Sequence, residues 1–303
     1  MTAPAQGFAA RWERFWFSES DALRLTICRV LFYGGLLYVE RGFDAAEWAR
    51  VDPVFYFPKS FFAALSLSIP SEATLQGLVL LYKIALGLAC VGLFTRVASV
   101  LAFVTGTYLF AVPQNFGKTH HSDAMLVFIL AALALARTGE HGSLDAWLRK
   151  LRGRAPAPER SGEYHWPVRF AQVASLLIYF AAGIAKSRTS GLAWASPRVF
   201  HNLLVSHHYT HEPLVNWGLY IAEIPWLCAM LGGGTLLFEL SAPLALLDRR
   251  LAMIIVPALA SMQLGIYLVL GVIFRPFMLL LAFWIPWDEL WFWLRARWAR
   301  RSA

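Results

Sequence analysis

One lysine, near the end of a long apolar stretch, has the most chemistry to offer. In LLIYFAAGIAKSRTSGLAW, residues 176–194, Lys186 follows ten residues without a charge. An ammonium cannot accept a proton, but burial in apolar surroundings disfavours the charged form, and a neutral amine is a competent general base. A lysine at a helix end can also snorkel to the headgroups, and the sequence leaves both readings open. Other ionisable groups stand inside apolar runs: Arg24, Arg29, Lys83 and Glu239. Each is costly in lipid and therefore a functional candidate. Lys83 and Glu239 have opposite signs and could form a buried structural pair. Glu239 is expected to face the interior with Lys83, Arg24 or Arg29 as partner, because an unpaired charge there is expensive. Arg29 is expected to be structural, bonding helix carbonyls or a carboxylate. His120 and His121 sit at the mouth of another apolar run, and His201, His207, His208 and His211 follow Lys186. His207, His208 and His211 have metal-like spacing, but Glu212 is the only acid near them and no Cys joins them, so no metal is expected.

The elements that must position these groups follow from composition. Of 303 residues, 58% are hydrophobic and 15% charged, against about 25% charged in soluble domains. The apolar runs do not alternate, and in lipid a spanning segment must be a helix or part of a closed barrel, so they are helices. The fold class is an all-α integral membrane protein. It is expected to be one transmembrane domain over 1–303, a bundle of about eight (seven to nine) transmembrane helices with interfacial helices. The spans read as 22–40, 74–94, 97–113, 122–137, 167–186, 226–247, 251–270 and 274–291, and 214–231 is a candidate ninth. Residues 8–20, with Arg11 and Arg14 among Trp12, Phe15 and Trp16, read as an interfacial helix. Residues 41–73 are too broken by Pro53, Pro58 and Pro70 to span, 138–166 is a basic linker whose Pro/Gly/Arg-rich part at 149–162 is expected to be flexible, and 292–303 a basic tail. Cys28, Cys90 and Cys228 lie inside apolar runs and suggest no disulfide framework. No cleavable signal peptide is visible.

The net charge of +8 suggests basic cytoplasmic loops rather than nucleic acid. With the N-terminus inside, Arg11, Arg14, Arg96, the 138–166 linker, Arg249, Arg250 and the tail are cytoplasmic. Both termini are then cytoplasmic, and His121, Lys186 and the His-rich loop fall in the extracytoplasmic leaflet. A site open to that face is expected, in the inner (plasma) membrane of a bacterium.

Four stretches together resemble one family. They are YFAAGIAKSRTSGLAW at 179–194, HHSDAMLVFILAALALARTGEHGSLDAW at 120–147, ALRLTICRVLFYGGLLYVERG at 22–42 and TLLFELSAPLALLDRR at 235–250. In this order they are similar to the membrane domain of vitamin K-dependent gamma-carboxylases, the horizontally transferred transmembrane (HTTM) domain. The resemblance implies that Lys186 is the base that deprotonates vitamin K hydroquinone or another reduced quinone, and that His121 supports it. It implies cofactor-binding roles for Tyr179, Trp194 and His120, and a reaction coupling epoxidation to carboxylation. Two departures stand out. Animal carboxylases carry a large extracytoplasmic domain that contributes to binding protein substrate, whereas this chain ends just after its last span; a separately encoded soluble or secreted protein is a candidate partner. The family often has a histidine in the penultimate span, where this chain reads SMQLGIY at 261–267. Two other classes compete: a non-catalytic quinone- or lipid-binding subunit of a partner protein, and a small transporter using Lys83 and Glu239. The transporter lacks visible repeated halves with broken helices.

Overall fold

The computed structural model describes residues 7–117, 121–211, 213–272 and 274–300, with the side chains of His121, Ser122, Arg275 and Pro276 outside the described set. Its helices are α1 (Phe8–Phe17), α2 (Ala22–Val39), α3 (Ser60–Ala64), α4 (Glu72–Val91), α5 (Thr95–Ala111), α6 (His121–Leu135), α7 (Leu144–Leu151), α8 (Gly162–Ser190), α9 (Pro197–Thr210), α10 (Trp217–Ala222), α11 (Pro225–Ser241), α12 (Arg249–Leu270), α13 (Arg275–Leu280) and α14 (Trp287–Ala299). Local chemistry starts several of them. Asp21, Ser71, Ser143, Ser196 and Asp248 accept the first free N–H groups of α2, α4, α7, α9 and α12, the role in which short oxygen-bearing side chains excel.

The chain is an all-α membrane protein. Six segments are long and apolar enough to cross a bilayer: Ala22–Val39, Glu72–Val91, Thr95–Phe116, Gly162–Ala195, Pro225–Leu246 and Arg249–Leu270. They coincide with six of the expected eight spans. The expected span at 122–137 is the shorter apolar helix Asp123–Leu135, about 20 Å at 1.5 Å per residue. The span expected at 274–291 is broken into Phe277–Phe283 and Trp287–Ala299, which together would be a seventh crossing. Pro286 precedes α14, and proline disfavours the helical conformation in the residue before it. The candidate ninth span at 214–231 is interrupted too. Here α10 stops at Ala222 and α11 begins afresh at Pro225. The linker carries structure of its own, with α7 inside it and Arg160–Ser161 pairing antiparallel with Ser20–Asp21.

Two compact units make up the chain, residues 1–171 with 285–303, and 172–284. In the first, α4 packs on α2 and α5, and α5 on α6. Its polar centre is Arg29, fully buried in α2. The Arg29 guanidinium donates to the carbonyls of Thr138 and Gly142, both at 2.7 Å. These carbonyls belong to the turn after α6, so the arginine bonds turn carbonyls rather than the helix carbonyls or carboxylate expected of it. The same turn holds the start of α5. Asp145 accepts from the Phe94 and Thr95 N–H groups and from the Thr95 hydroxyl. Gly92, at φ 74°, ends α4 where a Cβ would lie 2.4 Å from that of Ser143. A side chain would be both strained and blocked there.

In the second unit α11 is the central packing partner. Cys228, Gly232, Leu236 and Glu239 form its buried face. A Cβ on Gly232 would lie 2.8 Å from the Trp194 carbonyl oxygen, so the absent side chain lets the 191–195 turn rest on α11. Leu176, Tyr179, Ala242, Ala245, Ile255, Leu259 and Phe277 make one apolar core, and Leu204, Ala222, Cys228 and Leu270 a second.

Candidate functional site

Within this second unit α8 presents a polar stripe. Gln172, Ser175, Tyr179, Gly183 and Lys186 recur at spacings of three, four, four and three, which keeps them on one helix face. Gln172 donates to the Phe283 carbonyl at 3.0 Å, and the Ser175 hydroxyl accepts from the Trp284 indole at 3.1 Å. Tyr179 is hydrogen-bonded with Gln263 of α12 and stacks at a tilt on Phe277, with ring centres 5.5 Å apart.

Next along the stripe, Gly183 brings two helices together. A Cβ there would lie 3.0 Å from the Glu239 Cβ and 3.1 Å from the Leu240 nitrogen. One turn further on, the Lys186 ammonium forms an ion pair and hydrogen bond with the Glu239 carboxylate. The lysine side chain is 23% exposed and the glutamate 4%. The ammonium also lies 5.3 Å from the Trp194 ring centre, within cation–π range. Glu239 Oε2 and Trp194 Nε1 are buried with no hydrogen-bond partner among the described residues.

This corrects the expected partner of Glu239. It faces the interior as expected, but its cation is Lys186, because the α8–α11 approach at Gly183 leaves the lysine within reach. Lys83 donates instead to the Arg41 and Phe43 carbonyls, at 3.1 and 3.2 Å, and Arg29 is occupied by the turn after α6. The signal was present in the sequence as opposite charges in two different spans, with Gly183 one turn before the lysine.

The remaining candidates are distributed elsewhere. His120 lies outside the described residues; His121 opens α6 in the other unit, and its side chain is outside the described set. His201 Nδ1 is 2.8 Å from the Ala222 carbonyl oxygen. His207 and His211 stack with ring centres 4.6 Å apart, and burial, then the neighbouring His211, lower the pKa of His207 below the usual range. Among the described residues no group of three or more His, Cys, Asp or Glu is placed to hold a metal ion. Gln263, in the segment where the resembled family often has histidine, was not expected to take part; a lone amide inside an apolar run was its only signal.

Chemically, the site offers a carboxylate oxygen and an indole N–H with unused hydrogen-bonding capacity beside a partly exposed ammonium. That combination suits a ligand with both hydroxyl donors and oxygen acceptors on an apolar body. A family model, the HTTM domain, matches residues 17–291. No curated protein and no solved structure matches the chain.

Proposed function

Because the chain belongs to the HTTM-domain family, associated with vitamin K-dependent carboxylase-like membrane proteins, we propose that it is a membrane enzyme in which Lys186 deprotonates a reduced quinone. The observation that carries the reading is the Lys186–Glu239 pair on a polar stripe of α8, with Trp194 over the ammonium and two buried polar atoms unpartnered among the described residues. A structural ion pair alone gives no reason for the unused carboxylate oxygen, since a buried polar group without a partner is costly.

When bound, the quinol would be oxidised by oxygen to its epoxide, and that oxidation would supply the driving force for deprotonating and carboxylating a glutamyl substrate. Lys186 Nζ takes the ligand's hydroxyl proton, Trp194 Nε1 donates to a ligand oxygen, and Tyr179 with Gln263 forms a polar wall in an otherwise apolar core. The supporting role of His121 and the binding role of His120 rest on the resemblance alone. We place the protein in a bacterial inner membrane with both termini cytoplasmic, and its glutamyl substrate on a separately encoded partner.

The test is incubation of purified protein in lipid nanodiscs with vitamin K hydroquinone, oxygen and labelled bicarbonate, following epoxide and fixed label separately. Epoxide that disappears in both Lys186→Ala and Lys186→Arg supports the reading, because a guanidinium stays protonated. Full activity in Lys186→Arg refutes it. Tight quinol binding without turnover would leave a quinone-binding subunit.

A further inference from the structure

The ion pair poses a difficulty for a lysine base. Both Glu239 and the Trp194 ring favour the ammonium form, and an ammonium has no lone pair to receive a proton. We propose that Glu239 is the terminal proton acceptor of this base, reached through Lys186 by a two-step relay. This rests on the quinol reading above and adds where the proton goes.

In the relay, the Nζ–H bond that points at Glu239 Oε1 breaks and an O–H bond forms on the carboxyl. The freed nitrogen lone pair takes the ligand's hydroxyl proton. The ligand's O–H bond breaks, its electron pair stays on the ligand oxygen, and a new Nζ–H bond forms. Nothing is oxidised or reduced in this step. Lys186 begins and ends as an ammonium, and the one net change on the protein is a proton on Glu239. The total charge of the buried assembly is unchanged, because the negative charge lost from Glu239 is the one gained by the ligand. Conserving charge avoids the large cost of creating an unbalanced ion in a low-dielectric interior.

Geometry favours this division of labour. The lysine side chain is 23% exposed and the glutamate 4%, so the lysine is the more accessible member of the pair. One carboxylate oxygen is bonded to the ammonium and the other has no partner among the described residues. Gly183, where an added Cβ would lie 3.0 Å from that of Glu239, lets the helices approach closely enough to bring donor and acceptor together. Glu239 is thus a positioning and proton-storing residue, and Lys186 is the group that takes the proton from the ligand.

The experiment uses the intact protein in nanodiscs, without oxygen, with vitamin K hydroquinone as probe. Binding is measured separately from the infrared difference spectrum. A protonated-carboxyl band that shifts in D₂O, appears on binding and is missing in Glu239→Gln is the expected result. Lys186→Arg, which keeps the cation but cannot relay, should bind without the band. Under turnover, Glu239→Gln should move the alkaline rise of activity to higher pH, where solvent rather than Glu239 strips the lysine. Should Glu239→Gln fail to fold, Glu239→Asp keeps the acceptor and should retain a displaced band. A quinol that binds without any carboxyl band, yet is oxidised once oxygen is admitted, would mean that Lys186 acts alone, and the relay would fall while the quinol reading stands. An unchanged pH profile in Glu239→Gln would make Glu239 merely structural. No binding of the hydroquinone would remove the quinol reading and the relay with it.

Discussion

Gly183 and Glu239 face each other so closely that a Cβ on the glycine would lie 3.0 Å from that of the glutamate. The contact is backbone against side-chain root, with no flexible end to yield. Gly183→Leu should therefore push α8 from α11 and cost about 1–3 kcal/mol, the usual penalty for overpacking. It should also separate Lys186 from its carboxylate. Thermal unfolding in detergent would measure the first effect. A Gly183→Leu protein as stable as the wild type would show that the two helices are not held at this distance.

The Arg29 clamp predicts a different sensitivity. Its two short bonds run to backbone carbonyls that no substitution can remove, and charge-assisted bonds of this kind contribute about 1.5–3 kcal/mol each. Arg29→Ala should lower the unfolding midpoint strongly and leave the turn at 138–142 open to proteolysis. Arg29→Lys should recover only part of the loss, because one ammonium cannot reproduce the fork. Cleavage at the turn unchanged by Arg29→Ala would refute the clamp.

Asp145 supplies a pH dependence with a definite sign. Burial pushes its carboxyl up, but the Thr95 hydroxyl and the Thr95 and Phe94 N–H groups outweigh this and hold it below its ordinary value of 3.8. A group with a depressed folded value contributes stability above its unfolded value, about 3.9, and loses it as pH falls through the folded one. Stability should therefore decline in acid, and Asp145→Asn should flatten that part of the decline. Asp145→Ala at neutral pH should cost about 0.5–2 kcal/mol as a lost cap. An acid profile identical in Asp145→Asn would exclude the assignment.

Orientation can be read by single added cysteines. Arg154→Cys, in the exposed stretch of the linker, should react with a membrane-impermeant maleimide only after the membrane is opened. Ser206→Cys, exposed on α9, should react in intact cells. Cys28 and Cys228 are buried, so background labelling falls mainly on Cys90. Labelling of Arg154→Cys from outside would invert the topology.

The sequence already marked most of these residues, and the reasons for what it hid are physical. Apolar length located Glu72–Val91 and Arg249–Leu270 to within a few residues, because hydrophobic runs are set by bilayer thickness. It could not foresee the break before Pro286, where a short-range backbone restriction overrides the apolar pattern. Lys186 and Glu239 stood out as charges in an apolar setting, and Tyr179 and Trp194 through the family resemblance. Which cation meets which anion depends on helix neighbours, and those depend on where glycines permit close approach, a property of two sequences at once. For that reason Glu239 was matched with the wrong partners, and the 261–267 stretch was noted only for its lack of histidine and not for Gln263 as a polar contact of Tyr179.

The Arg29 clamp also sets a clock on synthesis. Arg29 and Thr138 are 109 residues apart, and a ribosome adding about 5–20 residues per second needs roughly 5–20 s to cover that stretch. Throughout that interval the first hydrophobic segment carries a cation whose acceptors have not been made. It must wait beside water or headgroups, or within the insertion machinery, before it can settle to its final depth. Maturation of the N-terminal half is thus tied to translation past Gly142, and a ribosome stalled before that point would leave a nascent chain whose leading helix is unsatisfied and a natural target for membrane quality-control proteolysis.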